Sequence, residues 1–187
     1  DRYDLGAEFY RWELATAVAG ALMGLNPFDQ PNVQQAKEAT TQILRQYRES
    51  GGKPVASPAG SLADLLSQAR PGDYLAVMAY VAQTPETDQA LADLRRRVME
   101  RGRIATTLGY GPRFLHSTGQ LHKGGPDTGL FLQITAEAED DLAIPGEPHT
   151  FDVLLAAQAS GDLQALRDLG RRVASIHLPA GQTVSIS

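Results

Sequence analysis

The chain contains no cysteine, which removes disulfide frameworks, zinc–thiolate sites, iron–sulfur ligation and thiol catalysis, and fits a reducing compartment. It has no basic excess either. Seventeen Lys+Arg against 22 Asp+Glu leave a net charge of −5, which argues against a protein that coats nucleic acid, because phosphate neutralisation needs a basic surface. Long apolar runs are missing. The weakly polar stretch from Ala15 to Leu25 is interrupted by Thr16, Gly20 and Gly24, whereas a membrane span needs roughly 20 apolar residues. The opening D-R-Y-D-L-G-A-E-F-Y-R-W-E lacks the basic start and apolar stretch of a signal peptide, and its first residue is Asp1 rather than Met. We therefore read the 187 residues as a piece of a longer cytoplasmic protein, with no membrane and no nucleic-acid partner.

What is present is a chain long enough to bury a sizeable core without a disulfide or metal. Glu8 to Leu25 reads as a helix with Phe9, Trp12, Thr16, Ala19, Leu22 and Met23 near one face, more apolar than a surface helix and so expected to pack against partners outside this chain. A turn at Asn26-Pro27 leads to Pro31, a good first residue for a second helix running to Ser50. Val33, Ala36, Lys37, Thr40, Leu44 and Tyr47 share its inward face. Residues 51–60 (GGKPVASPAG) read as a linker.

Beyond the linker, helices alternate with short apolar strands. Ser61 and Asp64 cap a short helix to Ala69, Tyr74–Val81 reads as a buried strand, and Thr84-Pro85 opens a helix ending at Gly102. Strands are predicted at Ile104–Leu108, Leu130–Thr135 and Val173–Leu178, with a glycine-rich loop over Gly109–Thr128 and two short helices broken at Ser160-Gly161. The predicted fold is α/β: a helical N-terminal part (1–50), then an α/β module (61–187) with about four mainly parallel strands.

Two places can carry chemistry. In the first, Gly20 to Lys37, an amide side chain (Gln30) and an ammonium (Lys37) stand seven residues apart at a helix start, a setting for a sugar hydroxyl or phosphate. The same residues also read as a helix cap and a lysine that lays its stem on apolar surface. On the residues alone both readings stay open.

The string G-A-L-M-G-L-N-P-F-D-Q-P-N-V-Q-Q-A-K resembles a signature near the C-terminus of glucose-6-phosphate isomerases: glycine, two apolar residues, F-D-Q, a glycine, V-E and a lysine. Gly20, Leu22, Met23, Phe28, Asp29, Gln30, Val33 and Lys37 fit it, while Asn32 stands for the glycine and Gln34 for the glutamate. Glu13 also falls where the family has a glutamate after an aromatic residue. With G-Y-G-P-R-F-L-H-S-T-G-Q-L-H-K-G-G-P downstream, the chain is more specifically similar to the isomerase half of bifunctional transaldolase/glucose-6-phosphate isomerases, from Leu5 to about Leu178. The resemblance implies that residues 1–50 are the final helices of a sugar isomerase (SIS) domain. It further implies that Gln30 faces the sugar phosphate, that Lys37 assists ring opening and binds substrate oxygens, and that the glutamate base and phosphate-binding loops lie in the remainder of the parent chain. No metal or other cofactor is implied. The partners are the sugar phosphate, the rest of the isomerase chain and, in a homo-oligomer, another subunit.

The second place is the Gly109–Thr128 loop, where Arg113, His116, Ser117, His122 and Lys123 sit among glycines and read as an anion-binding or interface element. Tyr110, Phe114, Leu115 and Leu121 need cover, which is expected from another domain or subunit. His116 and His122 lack carboxylates at ligand spacing, so no zinc site is predicted, and no G-x-S-x-G elbow presents Ser117 as a nucleophile. Arg95-Arg96-Arg97 and Arg171-Arg172 read as helix-surface and helix-end charges. The alternative to an isomerase fragment is a non-catalytic α/β module for assembly or regulatory anion binding.

Overall fold

A computed structural model describes residues 1–29, 31–54, 58–138, 140–180 and 182. The chain divides into two compact units, Asp1–Pro31 and Asn32–Ser187, so they part at Pro31 rather than at the 51–60 stretch. The first unit holds helix α1 (Asp4–Met23), ended by Gly24 in the left-handed conformation. The side chains of Phe9, Tyr10, Trp12, Leu22 and Met23 are exposed on it.

The second unit takes up α2 (Pro31–Ser50) from its second residue and continues with α3 (Leu62–Ser67), β1 (Tyr74–Tyr80), α4 (Pro85–Gly102) and β2 (Ala105–Tyr110). A short 3-10 turn (Arg113–His116), α5 (Gly119–Gly124), β3 (Gly129–Ala136), α6 (Phe151–Asp168) and β4 (Arg172–Leu178) complete it. The four strands form one all-parallel sheet in the order β2-β1-β3-β4. Three helices, α3, α4 and α6, start at hydroxyl caps: Ser61, Thr84 and Thr150 each accept an amide hydrogen from three residues on.

The central strands β1 and β3 are buried on both faces, as a parallel sheet between helices requires. On one face Leu75, Val77, Leu130, Leu132 and Ile134 pack with Leu65 of α3 and Leu91, Leu94 and Val98 of α4. On the other, Ala76, Met78, Tyr80 and Phe131 meet Phe114 of the 3-10 turn and Ala159 and Leu166 of α6. The chain crosses from β1 to β2 in one direction and then reverses to β3 and β4. Its connecting helices change face with the reversal, which a single crossover hand demands.

Three expectations need correction. The Gly109–Thr128 stretch is not an open loop, since β2 runs to Tyr110 and a 3-10 turn and α5 follow. Its residues bury Phe114 and His122 against the sheet, and that burial outweighs the weak helix propensity of glycine. Phe114 is therefore covered by its own module, whereas Leu121 remains exposed. Likewise α6 is one helix through Ser160-Gly161. Ala157, Ala159, Gly161 and Ala165 are all buried on it, and the close approach of small residues to the sheet compensates the cost of a mid-helix glycine, roughly 1 kcal/mol.

Arg171 and Arg172 are not helix-end surface charges. Arg171 donates to the carbonyls of Lys123 (2.6 Å) and Gly125 (2.5 Å), tying α5 to the start of β4. Arg172, on β4, binds the Asp73 carboxylate at 2.5 and 3.2 Å and the carbonyls of Gln68 and Asp127.

Candidate functional site

The helix that carries Lys37 is pinned to the sheet module at its start. Asn32 and Gln120 form a reciprocal amide pair: the Asn32 N–H donates to Gln120 Oε1 (3.2 Å), and Gln120 Nε2 donates to Asn32 Oδ1 (2.9 Å). A Cβ on Gly124 would lie 2.5 Å from Gln120 Nε2 and 2.9 Å from Asn32 Oδ1, so this pair needs a glycine beside it. At the far end of α2, Arg48 bonds Glu147 at 3.1 Å. Asn32 thus has a partner 88 residues away in the chain.

Held this way, α2 walls a cavity of about 390 Å3 with the 3-10 turn and α6. Leu44, Pro112, Leu115 and Leu154 supply apolar wall, and Thr40, Thr41 and Gln158 supply neutral polar groups. Lys37, His116 and Lys123 line it too. A mostly apolar hollow with a few convergent polar groups is the usual form of a small-molecule site. Two stretches singled out separately in the sequence therefore meet in one place.

Lys37 is exposed rather than turned into the core, and among the described residues its ammonium makes no ion pair. Gln30, and the side chains of Val33 and Ala36, lie outside the described residues. The remaining candidates separate. Arg113 donates to Gln83 Oε1 (3.2 Å), and the Ser117 hydroxyl donates to the Phe114 carbonyl (3.1 Å); neither lines the cavity. Lys123 lines it with its stem, but its ammonium is buried in an ion pair with Asp162, so that charge is already compensated.

Neither Asp162 as the partner of Lys123 nor Tyr80 as a second partner of Asp162 was legible in the sequence. Tyr80 donates to Asp162 at 3.4 Å. Burial, with the Asp162 charge adding to it, holds the Tyr80 phenol well above its usual range, so it stays a donor. Burial also raises the Asp162 carboxyl, against the opposing pull of Lys123 and Tyr80. The available signal was an Asp flanked by Gly161 and Leu163 on the apolar face of α6.

His122 is enclosed by Phe114 and Phe131, with ring centroids 5.8 and 5.1 Å away, and its Nδ1 has no hydrogen-bond partner among the described residues. Burial first, and then the Lys123 ammonium, push it down from 6.5 to about 4. Between these values the unfolded chain binds more protons than the folded one, so stability rises with pH through that window. Acidification from pH 7 to pH 4 is expected to cost on the order of 2–3 kcal/mol through this residue. Urea titrations of His122→Leu across that range check this, the variant showing a flatter pH dependence than the wild type.

A different cavity, about 490 Å3, opens at the carboxyl ends of β1, β3 and β4, where Glu137, Asp140 and Asp152 line it. Its carboxylates disfavour a phosphate, whereas no carboxylate lines the Lys37 cavity among the described residues. Among the described residues no group of three His, Asp or Glu is placed to hold a metal, and no helix is long and apolar enough to cross a membrane.

The fold recurs in known proteins. A crystal structure of a hypothetical protein from Thermus thermophilus matches 74% of this chain with 38% of its own, at 22% identity and a TM-score of 0.50. This chain thus spans less than half the length of that neighbour, and the likeness is one of fold. No protein-family model matches the chain, and no curated protein matches it.

What the cavity can do chemically follows from its walls. Lys37 supplies a positive charge and His116 a second polar group on the same cavity, both at its exposed side, next to apolar wall from Leu44, Leu115 and Leu154. No wall group is a carboxylate placed to take a proton from carbon. Such walls are chemically compatible with an anionic or oxygen-rich ligand, and carboxylate base catalysis there would need a residue beyond those that line the cavity.

Proposed function

We propose that the chain is the C-terminal part of a cytoplasmic glucose-6-phosphate isomerase, the enzyme that interconverts the aldose glucose 6-phosphate and the ketose fructose 6-phosphate. The observation that carries the reading is the meeting of Lys37 and His116 on one apolar-walled cavity that, among the described residues, no carboxylate lines. The isomerase-like string from Gly20 to Lys37 ends on the lysine that lines it.

In the aldose-to-ketose direction the ring opens, a base takes the C2 proton, the electron pair forms an enediol, and a proton is returned to C1. Lys37 binds substrate oxygens and stabilises the negative charge that develops on them, and Gln30 lies by the sugar phosphate. The carboxylate base and the phosphate-binding loops belong, in this reading, to the remainder of the parent chain, which in bifunctional proteins of this kind also carries a transaldolase half. The reaction needs no metal or redox cofactor.

The 187-residue chain alone is expected to leave fructose 6-phosphate unconverted in a coupled assay. In the intact parent, Lys37→Ala is expected to lower kcat/KM about tenfold or more, roughly 1.4 kcal/mol of transition-state binding, and Gln30→Ala to act in the same direction more weakly. A folded Lys37→Ala parent with wild-type kinetics would show that Lys37 merely packs its stem, and would leave the module a non-catalytic one.

A further inference from the structure

At the opposite end of the sheet, around the residues that lead into β1 and β2, lies a groove of about 540 Å3 that the proposed isomerase site does not use. Its floor is apolar: Leu94 and Val98 of α4, Leu66 of α3, and Ile104. Leu94 and Val98 belong to the buried core, and Leu66 and Ile104 pack against it. Its rim holds four guanidiniums: Arg70, Arg97, Arg101 and Arg103. In a chain with a net charge of −5 this is a local reversal of sign.

The placement follows from helix geometry. Leu94 and Val98, and likewise Arg97 and Arg101, are four residues apart on α4, so the apolar floor and its charged edge are adjacent stripes of one helix. Arg103 reaches the rim by an unusual backbone. It is the one described non-glycine residue with a positive φ (51°) and takes the left-handed position where glycine usually ends a helix. Gly102 cannot exchange places with it easily, because a Cβ at Gly102 would press on the Ile104 side chain at 3.1 Å. Among the described residues the side chains of Arg101 and Arg103 make no ion pair or hydrogen bond, and Arg70 has only an exposed pair with Asp127 at 3.8 Å. The one carboxylate in the groove wall, Asp73, is already bound by Arg172 and by the Arg70 N–H.

We propose that this groove binds an amphipathic anion, a small molecule with a carboxylate or phosphate head held by the Arg101 and Arg103 guanidiniums and an apolar body lying on the partly exposed Leu66 and Ile104. Arginine suits such a head because its fork matches both oxyanions, and a volume of this size is ordinary for a small-molecule site. A head alone leaves the exposed parts of Leu66 and Ile104 uncovered, and an apolar body alone leaves Arg101 and Arg103 unused, so the two parts are proposed together.

The test is calorimetric titration of the 187-residue chain, below micelle concentrations, with decanoate, decyl phosphate, decanol and inorganic phosphate. Saturable binding is expected for decanoate or decyl phosphate, at least about tenfold tighter than for decanol or inorganic phosphate. Whichever of the two binds more tightly identifies the head group. Arg101→Gln/Arg103→Gln, at two exposed positions, is expected to weaken binding about tenfold or more with an unchanged Tm, while the equally exposed pair Arg11→Gln/Arg45→Gln leaves it unaltered. Absence of saturable binding overturns the proposal, as does inorganic phosphate or decanol matching its decyl counterpart. So does loss of binding in Lys37→Ala with retention in the Arg101/Arg103 variant, which would move the ligand to the other cavity and leave the isomerase reading intact.

Discussion

Replacing Lys123 with methionine is expected to destabilise the chain by about 3–5 kcal/mol at neutral pH, since it strands the Asp162 carboxylate in the interior without its cation. Both side chains are almost fully buried, at 2% and 1% exposure, so water cannot stand in for the lost partner. Tyr80 remains, but its single hydrogen bond at 3.4 Å offsets little of the desolvation cost. The sign of the pH dependence follows from burial, which already raises the Asp162 carboxyl with Lys123 present and raises it further without it. The folded variant then binds a proton that the unfolded chain does not, so the deficit relative to wild type shrinks as the pH falls from 7 toward 5.

Lys123→Met/Asp162→Leu is expected to recover most of the loss, because removing both partners removes the uncompensated charge. Denaturant unfolding of the three variants completes the cycle. It also separates structure from function: if Lys123 is a structural cation, the double variant keeps the sugar-phosphate affinity that the proposed isomerase reading expects at the Lys37 cavity. A well-folded double variant that has lost that affinity would make Lys123 a ligand-binding residue.

Arg172→Met is expected to cost a similar amount, about 3–5 kcal/mol. This guanidinium binds the Asp73 carboxylate and the carbonyls of Gln68 and Asp127, joining the entry to β1, the entry to β3 and the start of β4. Asp73 is held below the usual carboxylate range chiefly by the Arg172 hydrogen bonds. Its contribution is therefore fully present above the unfolded carboxylate value near 3.8 and is lost as the pH falls through the lower folded value. Arg172→Lys is expected to recover only part of the stability, since one ammonium cannot reproduce a planar fork that serves a carboxylate and two carbonyls at once. Chemical denaturation at pH 7 and at pH 3 checks both statements, the gap between wild type and Arg172→Met narrowing at the lower pH. Full recovery by lysine would reduce the role of Arg172 to charge alone.

The regular elements were legible to different degrees, and the reasons are local. Tyr74–Tyr80 stands out because a seven-residue apolar strand follows the turn Pro71-Gly72-Asp73, and Pro85–Gly102 because Thr84 and Pro85 open it. Pro31–Ser50 matches expectation at both ends, with proline at its start and Gly51-Gly52 beyond its end. The Gly109–Thr128 stretch was not legible, since glycine reports backbone freedom while the turn and helix there depend on Phe114 and His122 finding Phe131 and Tyr80. The Lys37 cavity was half legible: Lys37 and His116 were each singled out, but nothing in their spacing says that α2 lies against the 3-10 turn.

The sequence by itself determined the α/β class, the four strands and most of the helix caps, because these follow from short-range periodicity and from what a side chain does to its own backbone. It also determined the absence of thiol chemistry. Tertiary structure alone decided which charges are spent and which remain available. Lys123 finds Asp162 across 39 residues, Arg172 finds Asp73 across 99, and Asn32 finds Gln120 across 88. Such pairings depend on which sheet face each helix covers and in which order the strands lie. Neither is written in the pattern of any one segment, so the placing of Lys37 and His116 on one cavity, and of Arg101 and Arg103 on one groove, is visible only once the sheet is assembled.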